Sequence, residues 1–527
     1  MCSTLNHSLG QAPASSQLSL RKLLSGSVSN LVRVLLSVVV AITLPPLLVR
    51  HLSQAEYGAW VLILQMSAYI SLLDLGLQSV IAKLVAEYHA REDREASCRL
   101  LSSSVSMLSF ISIVGVAAVG VMTWQVPNLF HQMPLALMSS VRISLMLVGC
   151  SAALALPFTP FIAVFSGLQE YSLITAVAVL GKLSSAFLLL LLVVLGKSLV
   201  QMAVALASAT VLTSLTQWAV WRRYARARVA YLAFSMDRGM AKHLIWSGSA
   251  LAIWTLGGLF VSGLDIVIVG HYNYANTGFY SIAASATNIM WMCVSSIFSP
   301  LVPAVSAMQT GSSPKAIGDL TIRTSRFCTA VLCALAVPLI IGAYPLLFLW
   351  IGKAYAIRSA RFFQILVLGN LVRQLGYPYS MITIATGKQH FASIAPVAEA
   401  FVNVVASVWL VQRVGAVGVA YGTLIGAFVS IGLHLAVSMR FTRRWIELSR
   451  LRFIMDSLLR PLVCALPVLM LLPFMKWNSL LPAPVSLLSI CALMIGSLLL
   501  LFGITRADQS SIQARLFNMR KASGRNA

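Results

Sequence analysis

Residues 57–82 read YGAWVLILQMSAYISLLDLGLQSVIA, and this stretch decides the fold. Asp74 is its only charged side chain, and the apolar residues around it continue for too long to form a strand or the buried face of a soluble helix. About 20 consecutive apolar residues, wound as a helix, cross the hydrocarbon core of a bilayer. The stretch is therefore predicted to be a transmembrane helix.

Similar apolar stretches recur along the whole chain of 527 residues, of which 59% are hydrophobic and only 10% are charged. Soluble domains are roughly 25% charged, so no water-soluble core accounts for this composition. The predicted fold class is an all-α polytopic membrane protein with about fourteen transmembrane helices. The predicted spans are residues 27–49, 57–82, 100–123, 141–165, 173–195, 199–221, 244–269, 279–305, 327–350, 361–385, 394–413, 419–439, 461–475 and 485–505.

The basic residues set the predicted orientation. Lys and Arg are concentrated in segments that follow even-numbered helices, so the positive-inside rule places both termini in the cytoplasm. The net charge of +24 then reflects topology and requires no nucleic-acid partner. The basic runs after helices 6 and 12 are also candidates for contact with anionic lipid headgroups.

The chain is predicted to contain two lobes with polar segments around them. The predicted order is a cytoplasmic tail at 1–20, an N-terminal lobe at 21–221, a basic cytoplasmic linker at 222–243, a C-terminal lobe at 244–440, appended helices 13 and 14 at 441–505 and a cytoplasmic tail at 506–527.

The two lobes are predicted to be an internal repeat. The turn after helix 4 reads GLQEYS and the turn after helix 10 reads GKQHFAS, which aligns Gly167 with Gly387 at an offset of 220. The same offset takes Gly58 to Gly278. Repeats of six helices both start on the same side of the membrane and are related by an axis along the membrane normal. This arrangement favours an alternating-access transporter.

Three segments resemble a known family. Residues 56–88, with the Asp74-Leu75-Gly76 piece, resemble the helix 2 region of bacterial polysaccharide exporters in the multidrug/oligosaccharidyl-lipid/polysaccharide exporter superfamily. Residues 264–283 resemble the passage from helix 7 to helix 8 in that family, and residues 414–426 resemble its turn between helices 11 and 12. The resemblance implies two parallel six-helix lobes of the multidrug and toxin extrusion type.

The resemblance extends to the O-antigen and exopolysaccharide flippase branch of that superfamily. It implies a non-enzymatic translocator of an undecaprenyl-diphosphate-linked oligosaccharide, such as an O-antigen, exopolysaccharide or capsule repeat unit, in the bacterial inner membrane. The implied partners are this lipid-linked oligosaccharide, membrane lipids and other polysaccharide assembly proteins. No cofactor or metal is expected, because the histidines are scattered and no nucleotide-binding motif occurs.

Basic side chains inside the spans are the candidates for binding a diphosphate. Charged residues inside a span cost about 2.5–3.5 kcal/mol by insertion scales and generally face a cavity or a partner. Arg373 and Lys182 lie deep in helices 10 and 5, whereas Arg33 lies near the start of helix 1, where snorkelling to the interface is an equal explanation. Arg offers a planar fork for phosphate oxygens, and Lys offers a point charge.

Acidic side chains inside the spans are the candidates for ion coupling. Asp74, Asp265 and Glu399 are placed where protonation or ion binding would bias one conformation of a gradient-driven transporter. The alternative is that they only pair with the basic residues, because buried ion pairs are often structural. Asp74 is also predicted to stabilise a local break in helix 2, next to Gly76.

Prolines predict breaks at matching places in the two lobes. Helix 4 contains Pro157 and Pro160, and helix 10 contains Gly376 and Pro378. Proline cannot continue the helical hydrogen-bond ladder, so both helices are predicted to be kinked or broken there. These four residues are candidate hinges, and the alternative is that they only shape the bundle.

Two other functions remain as alternatives. A multidrug and toxin extrusion antiporter would share the architecture, but it mostly binds organic cations, which basic residues in a cavity would repel. A membrane-embedded polysaccharide polymerase or glycosyltransferase would handle the same lipid carrier, yet the predicted outer loops are short and carry no catalytic pair.

Overall fold

The protein is described here by a computed structural model. The described residues are 14–74, 76–225, 236–248, 263–298, 301–308 and 313–463. Every regular element in these ranges is helical, which confirms the predicted fold class. The middle of predicted helix 7, nearly all of predicted helices 13 and 14 and the C-terminal tail at 506–527 lie outside the described residues, as do residues 1–13.

The chain divides into two compact units, Met1–Thr255 and Leu256–Ala527. The predicted lobe limits and the linker at 222–243 stay predictions. The helices of the first unit are α1 (Ala14–His51), α2 (Gln54–Ser71), α3 (Leu77–Ala90), α4 (Arg94–Leu129), α5 (Leu135–Ala155), α6 (Thr159–Gly167), α7 (Tyr171–Val194), α8 (Leu199–Tyr224) and α9 (238–248).

The second unit begins its described part with a short helix and continues with longer ones. Its helices are α10 (Asp265–Tyr272), α11 (Thr277–Phe298), α12 (Leu301–Met308), α13 (Pro314–Ile341), α14 (Ala343–Ile351), α15 (Lys353–Gln374), α16 (Tyr377–Ala385), α17 (Gln389–Val414), α18 (Val417–Leu433), α19 (Met439–Phe441) and α20 (Arg450–Arg452). Wide π-helical turns at His434–Ser438 and Phe453–Leu459 follow α18 and α20.

Ten spans in the described residues are long and apolar enough to cross a membrane. They overlap predicted helices 1 to 6, 8, 9, 11 and 12, but the span Pro314–Ile341 begins and ends well before predicted helix 9 at 327–350. Predicted helix 10 is present as α15 and α16, but α15 already begins at Lys353 and includes Arg358 and Arg361. Hydropathy marks only the lipid-buried part of a helix, whereas backbone hydrogen bonding continues past it. The total of fourteen helices stays a prediction.

Both units place large apolar side chains on their outer surfaces. Phe110 and Phe187 of the first unit are 68% and 65% exposed, and Phe401 of the second unit is 72% exposed. A soluble protein rarely exposes large contiguous apolar patches. In a bilayer these side chains face hydrocarbon, so the chain is a multi-pass membrane protein.

The first interruption of a span separates α2 from α3. A single 3₁₀ turn at Leu72–Asp74 is followed by Gly76, whose φ of 75° lies in the left-handed region that favours glycine. The Asp74 carboxylate accepts a hydrogen bond from the Gly76 backbone N–H at 2.6 Å. The predicted break in helix 2, with Asp74 stabilising it, is therefore present.

The predicted interruptions of helices 4 and 10 are also present. A 3₁₀ turn containing Pro157 separates α5 from α6, and Pro160 lies in the first turn of α6. Gly376 precedes α16, and Pro378 lies in its first turn. Because proline is tolerated at the start of a helix but not in its interior, each proline marks a new helix start.

Four consecutive helices of each unit repeat in register. The first residues of the paired helices are Leu135 and Lys353, Thr159 and Tyr377, Tyr171 and Gln389, and Leu199 and Val417. The members of each pair are 218 residues apart, as 353 − 135 and 417 − 199 show. The structure therefore supports the repeat for these helices but changes its offset.

The predicted alignment of Gly167 with Gly387 is wrong by two residues. At an offset of 218, Gly387 corresponds to Gln169, and both have positive φ, 71° and 60°. Each donates its backbone N–H to the carbonyl three residues earlier and closes the preceding helix in the same way. The repeated feature is a left-handed residue at the helix end, which glycine supplies in one turn and glutamine in the other.

Candidate functional site

The first unit places two basic side chains together on its surface. Lys182 of α7 donates a hydrogen bond from its Nζ to the Ser37 hydroxyl of α1 at 2.9 Å. Arg33 precedes Ser37 by one helical turn, and its charge acts on Lys182. Both basic side chains are exposed although they belong to membrane-spanning helices. The predicted residues Arg33 and Lys182 therefore form one basic pair.

Packing of α1 against α7 positions the basic pair. Gly181, next to Lys182, lies against α8, where an added Cβ would fall 2.6 Å from the Thr213 hydroxyl oxygen. The glycine allows this close approach, because small residues let membrane helices come together. Lys182 is consequently turned away from α8 and toward α1.

The second unit buries Asp265 among hydrogen-bond donors. Its carboxylate accepts hydrogen bonds from the Tyr280 hydroxyl at 3.0 Å and from the Thr423 hydroxyl at 2.8 Å. The Asn403 side-chain amide donates to its other oxygen at 3.3 Å. Asp265 is 5% exposed, and α10, α11, α17 and α18 each supply one of these four residues.

A second buried carboxylate belongs to the same region. Glu399 of α17 is 2% exposed and forms an ion pair with Nε of Arg373, which is 20% exposed. The Arg373 charge also acts on Asp265. Among the described residues, Nη2 of Arg373 is buried without a hydrogen-bond partner. Two predicted coupling residues and one predicted diphosphate ligand thus form one buried acidic cluster.

Glycines on α18 bring that helix against α17 beside the acidic cluster. An added Cβ at Gly418 would fall 2.4 Å from the Leu410 carbonyl oxygen, and one at Gly422 would fall 2.2 Å from the Ser407 hydroxyl oxygen. The Ser407 hydroxyl in turn bonds to the Asn403 side-chain oxygen at 2.9 Å. Because residues four apart share a helix face, Gly418, Gly422 and Gly426 form one packing stripe.

The candidate hinge at Gly376 contacts a buried histidine. An added Cβ at Gly376 would fall 2.7 Å from Cδ2 of His434. The Ser380 hydroxyl and Nε2 of His434 are hydrogen-bonded at 3.2 Å, and Nδ1 of His434 is buried without a partner among the described residues. The break between α15 and α16 is therefore packed against the π-helical turn that follows α18.

Sequence reasoning found the charged residues of the site and missed the neutral ones. Tyr280, Asn403, Ser407, Thr423 and His434 were not singled out, because neutral polar residues are common in membrane helices. One available signal was the spacing of Glu399, Asn403 and Ser407, which are four residues apart on α17.

Asp74 lies apart from the other two acidic candidates. Asp74 belongs to the first unit and bonds within its own chain break, whereas Asp265 and Glu399 belong to the second unit. No group of three or more His, Cys, Asp or Glu side chains placed to hold a metal is present within the described part of the chain.

These features define a class: a multi-pass helical membrane protein with a transporter-like fold, duplicated helices, and a separate cluster of intramembrane charged residues in each unit. The chain belongs to the polysaccharide biosynthesis protein family, which its sequence matches over residues 19–309. A search of curated proteins found no match.

Solved structures with the same fold support the class. The chain is similar to the lipid II flippase MurJ in an inward closed conformation, with a TM-score of 0.68, 13% identity, and coverage of 92% of this chain and 99% of that one. It is also similar to an inward-facing multidrug resistance MATE family transporter of the MOP superfamily, with a TM-score of 0.61, 15% identity, and coverage of 77% and 98%.

A third similar structure is a MOP superfamily transporter from Pyrococcus furiosus, described as having a binding pocket of reverse polarity. Its TM-score is 0.53 and its identity is 14%, with coverage of 80% of this chain and 96% of that one. At these identities the three likenesses establish the fold alone.

Proposed function

We propose that the protein is a flippase that moves an undecaprenyl-diphosphate-linked oligosaccharide across the bacterial inner membrane by alternating access. The observation that carries the proposal is the exposed basic pair of Arg33 and Lys182 on membrane helices of a polysaccharide biosynthesis family member. The cargo of such a protein is half lipid and half sugar, and its diphosphate requires positive charge within the membrane.

The basic pair is suited to a diphosphate. The Arg33 guanidinium can bind two phosphate oxygens through its planar fork, while the Lys182 ammonium adds a mobile point charge. The Lys182 hydrogen bond goes to a neutral hydroxyl of Ser37, which an incoming phosphate oxygen can replace. Arg373 of the second unit is proposed as a separate phosphate contact, through the Nη2 that Glu399 leaves unused.

The acidic cluster is the proposed coupling site. The cluster contains two carboxyl groups, Asp265 and Glu399, but one guanidinium, Arg373, so with both carboxyl groups ionised one buried negative charge would be uncompensated. An unbalanced buried charge is costly, so the cluster favours uptake of a proton or a small cation. Uptake that differs between conformations would link transport to an ion gradient.

The helix breaks are the proposed hinges. Pro157 and Pro160 in one unit, and Gly376 and Pro378 in the other, lie where the helical hydrogen-bond ladder is already interrupted. A change of backbone angles there costs little further hydrogen bonding. Changes of backbone angle at these points would let each predicted lobe, 21–221 and 244–440, change its shape during alternating access.

The two alternative functions make different demands. A cation antiporter requires acidic or neutral binding residues, whereas the exposed pair of the first unit is basic. In the described part of the chain, the acidic cluster of the second unit is a feature that would favour a cation, but it is buried. A polymerase or glycosyltransferase requires a catalytic constellation, for which the described residues offer no candidate outside these two clusters.

The proposal is tested in proteoliposomes that contain fluorescent undecaprenyl-diphosphate oligosaccharide, with label in each leaflet read by a membrane-impermeant quencher. The wild-type protein is expected to accelerate exchange between leaflets. The double variant Arg33→Ala/Lys182→Ala should lose about tenfold or more, because charge-assisted hydrogen bonds contribute about 1.5–3 kcal/mol each.

Lys197→Ala is the matched control, because Lys197 is an exposed lysine in the loop after α7. It should retain exchange within about twofold of the wild type. Absence of exchange by the wild-type protein, together with efflux of a cationic dye, would favour the antiporter instead. Normal exchange by the double variant would remove the diphosphate site from the proposal.

A further inference from the structure

Aromatic and basic side chains meet at one end of the second unit, where the turn before α17 faces the segment after α18. We call this set the aromatic-basic patch. Its members are Lys388, Phe391, Arg440, Phe441, Arg443, Arg444 and Trp445. The predicted topology places it at the cytoplasmic end of the membrane helices.

The aromatic rings of the patch form a continuous platform. Phe391 and Phe441 are stacked, with ring centroids 5.7 Å apart and planes 5° from parallel. The Trp445 ring lies 6.4 Å from Phe391. The Lys388 ammonium lies 4.3 Å from the centre of the Trp445 ring, in cation–π geometry.

Backbone contacts hold this platform in place. The Ser438 hydroxyl donates to the Phe391 carbonyl at 3.1 Å, which ties α17 to the end of the π-helical turn. The Glu447 N–H donates to the Pro314 carbonyl at 3.0 Å. Gly318 of α13 lies so close that a Cβ there would overlap the Glu447 carbonyl oxygen. The segment carrying Trp445 is therefore fixed against α13.

Two aromatic rings of the patch are exposed although the backbone that carries them is held in place. Phe441 is 53% exposed and Trp445 is 36% exposed. Arg440, Arg443 and Arg444 are exposed around them. Glu447 is the one carboxylate between Arg440 and Arg452, and the nearby carboxylates Asp319 and Asp456 both pair with Arg452. Positive charge at the patch is consequently in excess.

We propose that the aromatic-basic patch binds the phosphate headgroups of anionic phospholipids. Its position at the ends of membrane helices puts the rings at headgroup depth, where tryptophan is enriched because its ring is apolar and its N–H is polar. The three arginines then meet the phosphates. The bound lipid would hold α17 and the segment after α18, which also carry parts of the acidic cluster and the His434 contact.

The test is native mass spectrometry of the full-length protein in detergent, with phosphatidylglycerol and phosphatidylcholine of identical acyl chains. The wild-type protein should retain phosphatidylglycerol preferentially. The triple variant Arg440→Gln/Arg443→Gln/Arg444→Gln should lose that preference, by on the order of fivefold per arginine. Trp445→Ala, which removes no charge, should weaken retention of both lipids.

The control is Lys353→Gln/Arg358→Gln/Arg361→Gln, which removes three exposed charges from α15. It should keep the preference of the wild type. Equal retention of the two lipids by the wild type, or an equal loss in the control, would overturn the proposal. Displacement of phosphatidylglycerol by millimolar inorganic phosphate would also overturn it, because the site would then bind a free anion and not a lipid surface.

Discussion

Arg373 is held in the second unit by its ion pair with Glu399. The Glu399 carboxylate is almost wholly buried, and the Arg373 guanidinium is mostly buried. Removing either partner therefore leaves the other as a buried charge without an ion pair. Arg373→Ala should lower stability by about 3–5 kcal/mol, measured as a loss of thermal stability in detergent. Arg413→Ala, at the exposed end of the same helix as Glu399, should have little effect.

The double variant Arg373→Leu/Glu399→Leu tests whether the ion pair accounts for the loss of stability. It leaves no unpaired charge in place of the ion pair, so stability should recover much of the loss. If the double variant is no more stable than Arg373→Ala, the ion pair is not the reason for the loss.

Asp265 and Asp74 are both candidates for ion coupling, but their contacts differ, and amide substitution distinguishes them. The Asp74 oxygen that accepts the Gly76 N–H has an equivalent in asparagine, so Asp74→Asn should keep the helix break and transport. Asp265→Asn removes the titratable carboxyl group and should abolish stimulation of flipping by an imposed ion gradient. Gradient-stimulated exchange by Asp265→Asn, measured in the proteoliposome assay, would exclude that residue from coupling.

Charge was the part of the site that could be predicted from sequence. A charged residue inside an apolar run is rare and costly, so Arg33, Lys182, Asp265, Arg373 and Glu399 attract notice without a structure. Their grouping could not be predicted, because it depends on which helices are neighbours. The sequence suggested one diphosphate site made of Arg33, Lys182 and Arg373. Arg373 belongs to a different unit from the other two residues.

Among the helices, α18 depends most on small residues. Gly422→Ala would bring a methyl group to 2.2 Å from the Ser407 hydroxyl oxygen and 2.6 Å from its backbone nitrogen. Because backbone cannot move aside cheaply, the expected cost is about 1–3 kcal/mol, read from thermal unfolding. Gly432→Ala is the matched control, since an added Cβ there meets nothing within 4 Å. Equal stability of the two variants would contradict the packing argument.

Helix breaks were predictable and helix ends were not. Proline and glycine act locally, so Pro157 and Pro378 mark interruptions wherever they occur in a span. The start of α15 at Lys353 could not be read from hydropathy, since charged residues end an apolar stretch without ending a helix. The repeat offset was predicted wrongly for a related reason. Identical residues were aligned, whereas the feature that repeats is the backbone conformation.

At the scale of the whole molecule, topology is the prediction most open to direct test. In a variant whose eight cysteines are replaced, single cysteines at Lys197 and Arg444 report opposite sides of the membrane. A membrane-impermeant maleimide should label Lys197→Cys in spheroplasts, and Arg444→Cys only after permeabilisation, because the positive-inside rule retains basic segments in the cytoplasm. Labelling of both in intact spheroplasts would refute the predicted orientation.

The two repeats differ in the charges that they carry at equivalent positions. At an offset of 218, Glu399 corresponds to Gly181, the neighbour of Lys182, so equivalent helices carry opposite charge at the same level. Neither half contains the charged residues of the other. A chain built from two copies of the first half would carry the basic pair twice and lack Glu399, and one built from two copies of the second would lack the pair. The two repeats therefore share one backbone register while their charged side chains are asymmetric, so the symmetry of the helices does not extend to the chemistry of the membrane interior.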